Sequence, residues 1–161
     1  MMNGQGQTVS AAETDVMHDL INRALDEAQD GGKAGIAAAI MRGDTLIARG
    51  LNEVHLHNDP TRHAEIVAIS AATRALGEAS LDGCSLLTTL QPCEMCLTAM
   101  RFAGISRVIY AAGRPNVKTA KYFAFPGLDI DRFAEADHEG FVAISGIGAE
   151  RIEHNYAAGD D

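Results

Sequence analysis

The chain has 161 residues, 47% of them hydrophobic and 22% charged, with no Trp and a formal net charge of -9 at pH 7. That length suits one domain spanning 1–161, with a core built on Ala, Leu, Ile and Val, and is short for two. The negative balance argues against a nucleic-acid binder, which must neutralise phosphates with Lys and Arg.

From Lys121 onward three basic residues (Lys121, Arg132, Arg151) stand against nine acidic ones, Asp129, Asp131, Glu135, Asp137, Glu139, Glu150, Glu153, Asp160 and Asp161. A local basic patch could still form around Arg101, Arg107 and Arg114. Three cysteines, two of them in a Cys-x-x-Cys pair, are not a disulfide framework. The start of the chain lacks the basic and apolar regions of a signal peptide, and no stretch has the length and apolarity of a membrane span. A cytoplasmic address, away from membranes, is expected.

Residues 1–10 are polar and Gly/Gln-rich and are expected to be disordered. Ser10-Ala11-Ala12-Glu13 then reads as a capping box, in which the Ser oxygen and the Glu carboxylate satisfy backbone amides at a helix entry. Val16, Met17, Leu20, Ile21, Ala24, Leu25 and Ala28 recur at helical spacing up to Gly31-Gly32. Gly35–Met41 and Thr45–Ala48, separated by Arg42-Gly43-Asp44, predict a β-hairpin. The polar, His-rich stretch from Leu51 to Pro60 reads as a loop.

Arg62–Leu76 predicts a second helix that faces inward through Ala64, Val67, Ala68, Ala71 and Ala75, with Thr61 as its N-cap. Ser85–Leu90 predicts a strand, and Pro92 opens a third helix, to about Ala103, from within its first turn. Arg107–Ala111 predicts another strand and Asn116–Phe123 a further helical stretch, while Gly127–Asp137 has no clear pattern. A last strand over Phe141–Ile144 and a closing helix over Ala149–Tyr156 follow. The alternation predicts a three-layer α/β/α sandwich around a central mixed sheet.

Two short elements carry the chemistry, His63-Ala64-Glu65 and Pro92-Cys93-Glu94-Met95-Cys96. Each is weak evidence alone, because Cys-x-x-Cys at a helix start after a strand also marks thioredoxin-like redox sites. Together they make the H-x-E…P-C-x-x-C pattern of nucleobase deaminases. Zinc takes thiolate and imidazole ligands in a tetrahedron, and a catalytic zinc has three protein ligands and one open position. His63, Cys93 and Cys96 supply that count, one zinc per chain. Cys93 and Cys96 stand at i and i+3 on the first turn of a helix whose positive end favours thiolate. Residues two apart on a helix diverge by about 200°, so His63 and Glu65 can share one site only where their helix begins. Glu65 is the expected proton shuttle and not a ligand.

The stretches Asn52–Ile66 (NEVHLHNDPTRHAEI) and Thr89–Cys96 (TLQPCEMC) resemble the cytidine/deoxycytidylate deaminase superfamily, most of all its guanine deaminase, cytosine deaminase and tRNA adenosine deaminase branches. The resemblance runs from Ser10 to about Ile144. It implies the cytidine deaminase-like fold, hydrolytic removal of an exocyclic amine from a nucleobase-like ring, and assembly as at least a homodimer, with the Cys93–Ala103 helix a plausible contact surface. It also implies that Asn52, eleven residues ahead of His63, hydrogen-bonds the substrate ring, and that the Ala64 amide meets the base carbonyl. The Asn58–Glu65 stretch is closer to the guanine branch, and Thr88-Thr89-Leu90 to the cytosine branch, so guanine leads slightly.

Two features depart from the pattern: Gln91 stands where many members have Glu, and the segment after Ala111 matches no branch well. Two rivals remain, a tRNA adenosine deaminase and a thioredoxin-like dithiol exchanger on Cys93 and Cys96. His55 and His57 are expected at the pocket mouth, or else as a fourth ligand. Cys84 is expected to be buried, Glu94 and Met95 to serve helix surface and packing, and His18 and His138 to be solvated. His154 and Tyr156 are expected in helix packing or, as in guanine deaminase relatives, in a tail that closes over a pocket.

Overall fold

The structure is a computed structural model that describes residues 8–31 and 34–157. Most of the expected N-terminal disorder and Gly32, half of the expected helix stop, lie outside the described residues. Helix α1 (Ala11–Gly31) starts as its capping box predicts: the Glu13 amide donates to Ser10 Oγ at 3.1 Å, and the Ser10 amide donates to the Glu13 carboxylate at 2.9 Å. Strands β1 (Ala37–Arg42) and β2 (Thr45–Leu51) form the hairpin, turned by Gly43 at φ +58°, a left-handed conformation that glycine adopts freely. Further on come α2 (Val54–His57), α3 (Ala64–Leu76), β3 (Cys84–Leu90), α4 (Glu94–Phe102) and β4 (Arg107–Ala112). A 3₁₀ turn (Arg114–Asn116), α5 (Thr119–Tyr122), α6 (Ile130–Ala136), β5 (Val142–Ile144) and α7 (Ala149–Ala157) complete the order.

The five strands form one mixed sheet in the order β2-β1-β3-β4-β5, antiparallel from β2 to β3 and parallel from β3 to β5. Side chains alternate across a pleated strand, and here both faces are covered. Ala38, Ile40, Leu86, Val108 and Tyr110 face α3, α4 and α6, while Ala37, Ala39, Met41, Leu87, Ile109 and Ala111 face α1 and α7. This is the three-layer α/β/α sandwich.

Several expectations need correction. The 51–60 stretch is not all loop. Leu51 ends β2, and Asn52 Oδ1 accepts the Val54 amide at 2.9 Å, which starts the single turn of α2 before Asn58 ends it in the left-handed region. Neither Thr61 nor Pro92 enters a helix. Thr61 bonds Asp59 through both its amide and its hydroxyl, leaving His63 as the N-cap of α3, and Pro92 precedes the N-cap of α4, Cys93. On α3 the buried small residues are Ala64, Ala68 and Ala72, spaced by four, whereas Ala71 is half-buried and Ala75 exposed. The patternless 127–137 stretch contains α6, capped by the Asp129 carboxylate on the Arg132 amide.

Arg101, Arg107 and Arg114 form no basic patch. Arg101 is paired with Asp137 and Glu139, Arg107 with Glu13, and Arg114 donates to the Leu128 carbonyl beside the Phe123 ring. His18 is half-buried against the Arg151 guanidinium, whereas the His138 side chain is 91% exposed, as expected.

Candidate metal centre

The parallel strands β3 and β4 end side by side, and the site lies just beyond their C-terminal ends, where open α/β sheets bind ligands. The chain leaving β3 is tied down twice. The Gln91 amide donates to the Ala112 carbonyl at 2.9 Å, and Gln91 Oε1 accepts the Arg114 amide at 2.9 Å. Cys93 then caps α4 in extended conformation, and His63 caps α3 in the same way. Neither side chain makes a capping hydrogen bond, and the positive ends of the two helices meet around them.

His63 Nδ1 lies 3.5 Å from Cys93 Sγ and 3.6 Å from Cys96 Sγ, and one ligand atom from each of the three falls within 4.8 Å of the others. In a zinc tetrahedron with bonds of about 2.3 Å to sulfur and 2.05 Å to nitrogen, the sulfur-to-nitrogen separation is roughly 3.6 Å. The residues fit zinc. No fourth ligand joins them among the described residues: His57 bonds Glu53 at 2.9 Å, and His55 is exposed on α2.

Electrostatics agree with the donor set. Hydrogen bonds from Cys96 and His63 hold the Cys93 thiol well below its ordinary pKa. Cys96 is pushed up by the bond it makes to Cys93 and by burial. The Cys93 bond raises His63, against the opposing effect of burial. Glu65, one residue into α3, is 4% exposed, and its Oε1 has no hydrogen-bond partner. Burial first, and the Cys93 charge second, push its carboxyl up to about 7.

A cleft of about 560 Å³ opens beside the cluster, walled by His63, Cys93, Glu94, Met95, Tyr122 and Phe125. The last four were not legible as site residues. Glu94 is more than helix surface, because its carboxylate accepts the Ala124 amide at 3.2 Å and the Phe125 amide at 2.9 Å, anchoring that segment to α4. The available signal was Tyr122-Phe123-Ala124-Phe125, three aromatics together in a chain with eight Phe and Tyr in all. Asn52 is exposed with its carbonyl oxygen engaged by α2, and Ala64 is buried as the first residue of α3, where an amide has no intrahelical acceptor. Tyr156 is fully buried: its hydroxyl donates to the Gly35 carbonyl at 2.7 Å and meets Thr89 Oγ1 at 2.8 Å, so it packs the core of its own chain. Cys84 is buried and free.

The model of the cytidine and deoxycytidylate deaminase zinc-binding region matches residues 12–112. The chain belongs to this deaminase family. It is a zinc-dependent deaminase, and the thioredoxin-like alternative falls away. This deaminase is 40% identical over 120 residues to guanine deaminase from Bacillus subtilis (strain 168), covering 71% of the chain and 77% of that relative. A solved structure of Bacillus subtilis guanine deaminase superposes with a TM-score of 0.62 at 31% identity, over 90% of this chain and 95% of the other. The tRNA-specific adenosine deaminase of Agrobacterium fabrum (strain C58 / ATCC 33970) is 42% identical over 96 residues, 58% of this chain and 63% of that one. Guanine deaminase from Nitrosomonas europaea shares the fold, with a TM-score of 0.75 at 23% identity, over 92% and 84% of the two chains.

Proposed function

We propose that this deaminase acts on a free aminopurine or aminopyrimidine, guanine ahead of cytosine, and releases the oxo base and ammonia. The observation that carries the reading is the Glu65 carboxyl, buried with an oxygen lacking any partner, beside three side chains spaced for zinc. A polar atom left so is costly, about 1–3 kcal/mol, and is expected where a reacting group will supply the partner. Similarity to guanine deaminase over 71% of the chain supports the choice of base.

His63, Cys93 and Cys96 would hold the metal. Zinc, when bound, offers an open position at which the pKa of water falls toward neutrality. Glu65 takes a proton from the attacking water and passes it to the ring nitrogen beside the amine-bearing carbon; it then takes the remaining proton from the adduct's hydroxyl, which becomes the oxo group, and gives that proton to the departing amine. Burial raises its pKa above the ordinary carboxylate value, which favours the protonated form it must pass through. Asn52 offers the base its side-chain NH₂, since its oxygen is held by Val54, and the Ala64 amide, unused by its helix, offers a second donor. The atoms balance: water and the amino base give the oxo base and ammonia.

Glu65→Gln tests the assignment. It should retain one zinc per chain and lose about 10²–10⁴-fold in kcat, followed as ammonia release from a panel of bases and nucleosides. Near-parental turnover would overturn it. Similarity to a tRNA adenosine deaminase favours a second reading, but the charge of -9 and the internal pairing of Arg101 and Arg107 weigh against a polyanion. Retention of tRNA in a low-salt gel shift, with silence on every free base, would reverse that order. We also infer one folded unit, assembly as a homodimer and a cytoplasmic address. The dimer reading is supported by Phe102, 89% exposed on α4, and the address by three free cysteines. No helix among the described residues is long and apolar enough to cross a membrane.

A further inference from the structure

Among the described residues two buried side-chain oxygens lack a hydrogen-bond partner, Glu65 Oε1 and the Tyr122 hydroxyl. The proton shuttle accounts for the first and leaves the second unexplained. Buried hydroxyls normally find partners, as neighbouring Tyr156 does with Gly35 and Thr89. Tyr122 is partly buried, but its ring is packed on several sides. Its ring stands edge-on to Tyr156, with centroids 5.6 Å apart at 80°, the Lys121 ammonium lies 5.5 Å from its centroid, and it packs against the cluster of Cys93, Cys96 and Phe123. The two residues after Phe123 are clamped by Glu94. Tyr122 is also a wall of the cleft that contains His63 and Cys93.

We propose that the Tyr122 hydroxyl reads the substrate, forming a hydrogen bond to a polar group on the heterocycle other than the amine that leaves. The claim rests on the deaminase reading of the same site. Burial holds the Tyr122 phenol above its ordinary pKa, so it meets the ligand as a neutral O–H. A neutral phenol donates to a ring nitrogen or a carbonyl and accepts from an N–H. The substrate class is therefore a heterocycle with a second polar edge, and a ring with only C–H there would leave the hydroxyl stranded.

Tyr122→Phe removes the hydroxyl and keeps the ring on Tyr156. Zinc-loaded parent and variant are compared on guanine, adenine and cytosine and on deaza analogues in which one ring nitrogen becomes C–H. The variant should keep its zinc, raise KM at least about fivefold with kcat changed less than about threefold, and discriminate less against one of the analogues. Its Tm without base should rise by about 2 °C, since an unpaired buried hydroxyl is gone. A smaller rise in KM, or unchanged discrimination against every analogue, overturns the proposal. Should the parent turn over no base, it is the deaminase reading of the substrate that fails, and the Tm shift produced by the same bases then decides for Tyr122. A shift in the parent that the variant lacks supports the proposal; equal shifts, or none in either protein, overturn it.

Discussion

Gly50 lies on β2 directly beneath the first turn of α3. A Cβ built there meets Ala64 O and Ala68 N at 2.6 Å and Val67 Cβ at 3.0 Å. The two closest atoms are backbone, so no side chain can swing away. Restoring an ordinary contact of 3.4 Å requires a movement of about 0.8 Å, from 3.4 minus 2.6. The helix that must move begins at His63 and carries Glu65, and His63 now sits at the separations from both sulfurs that a zinc tetrahedron asks for. Gly50→Ala should therefore cost about 1–3 kcal/mol, as overpacked core sites do, seen as a fall in Tm of roughly 3–10 °C. It should also loosen zinc about 10–100-fold, the usual effect of disturbing a group that orients a ligand. Calorimetry and competition against a chromogenic chelator measure the two effects. Gly127→Ala, where an added Cβ meets nothing within 4 Å, is the control. If Gly50→Ala keeps the parental Tm within a degree and yields zinc at the parental rate, α3 is not held to β2 as argued.

Glu94→Ala should retain zinc yet raise KM about 3–10-fold, because the Ala124 and Phe125 amides lose their acceptor and the cleft wall slackens; steady-state kinetics with metal analysis would show the split. Dialysis against a chelator should lower the Tm, and added zinc should restore it, since metal binding stabilises the folded chain; a Tm indifferent to metal would count against the cluster. Burial raises the ionisation of Tyr110, Tyr122 and Tyr156 above the ordinary value. The folded protein thus holds these phenolic protons more tightly than the unfolded chain, so their stabilisation is complete below about pH 10 and is lost as pH rises beyond it. With no Trp in the chain, absorbance at 295 nm reports the phenolates directly, and that of the fully buried Tyr156 should appear with unfolding and not before it.

What could be read from the sequence followed from periodicity and from local chemistry. The capping box at Ser10 was legible because both of its hydrogen bonds are made within four residues. The cluster of His63, Cys93 and Cys96 was legible because zinc constrains residue type and spacing together. His63 was misplaced by a small amount with a physical cause: Thr61 is the better capping residue, but Asp59 engages it, and α3 begins two residues later. Helix α6 escaped because it has seven residues and one buried side chain, Ile130, too little for a pattern to emerge. Tyr122, Glu94 and Phe125 escaped for another reason. Glu94 and Phe125 meet through a hydrogen bond spanning about thirty residues, and Tyr122 is set by its ring contact with the distant Tyr156, neither of which a local rule registers.

The division between what was legible and what was not follows the division of labour in the site. The cluster of His63, Cys93 and Cys96 and the buried Glu65 come from two helix starts at the ends of regular elements. One wall of the cleft comes from the segment from Gly113 to Leu128, whose regular structure is a 3₁₀ turn and the single turn of α5. That segment is nonetheless fixed at several points: Gln91 holds the Arg114 amide, Arg114 holds the Leu128 carbonyl, and Glu94 holds the amides of Ala124 and Phe125. Gln91 and Glu94 flank Pro92 and Cys93, so residues adjoining the cluster also anchor the cleft wall. A wall anchored in this way is rigid enough to discriminate by hydrogen bonding, the mode that rejects wrong substrates most strongly. Exchanging the Gly113–Leu128 segment for that of a relative should then change which base is used while leaving zinc content untouched.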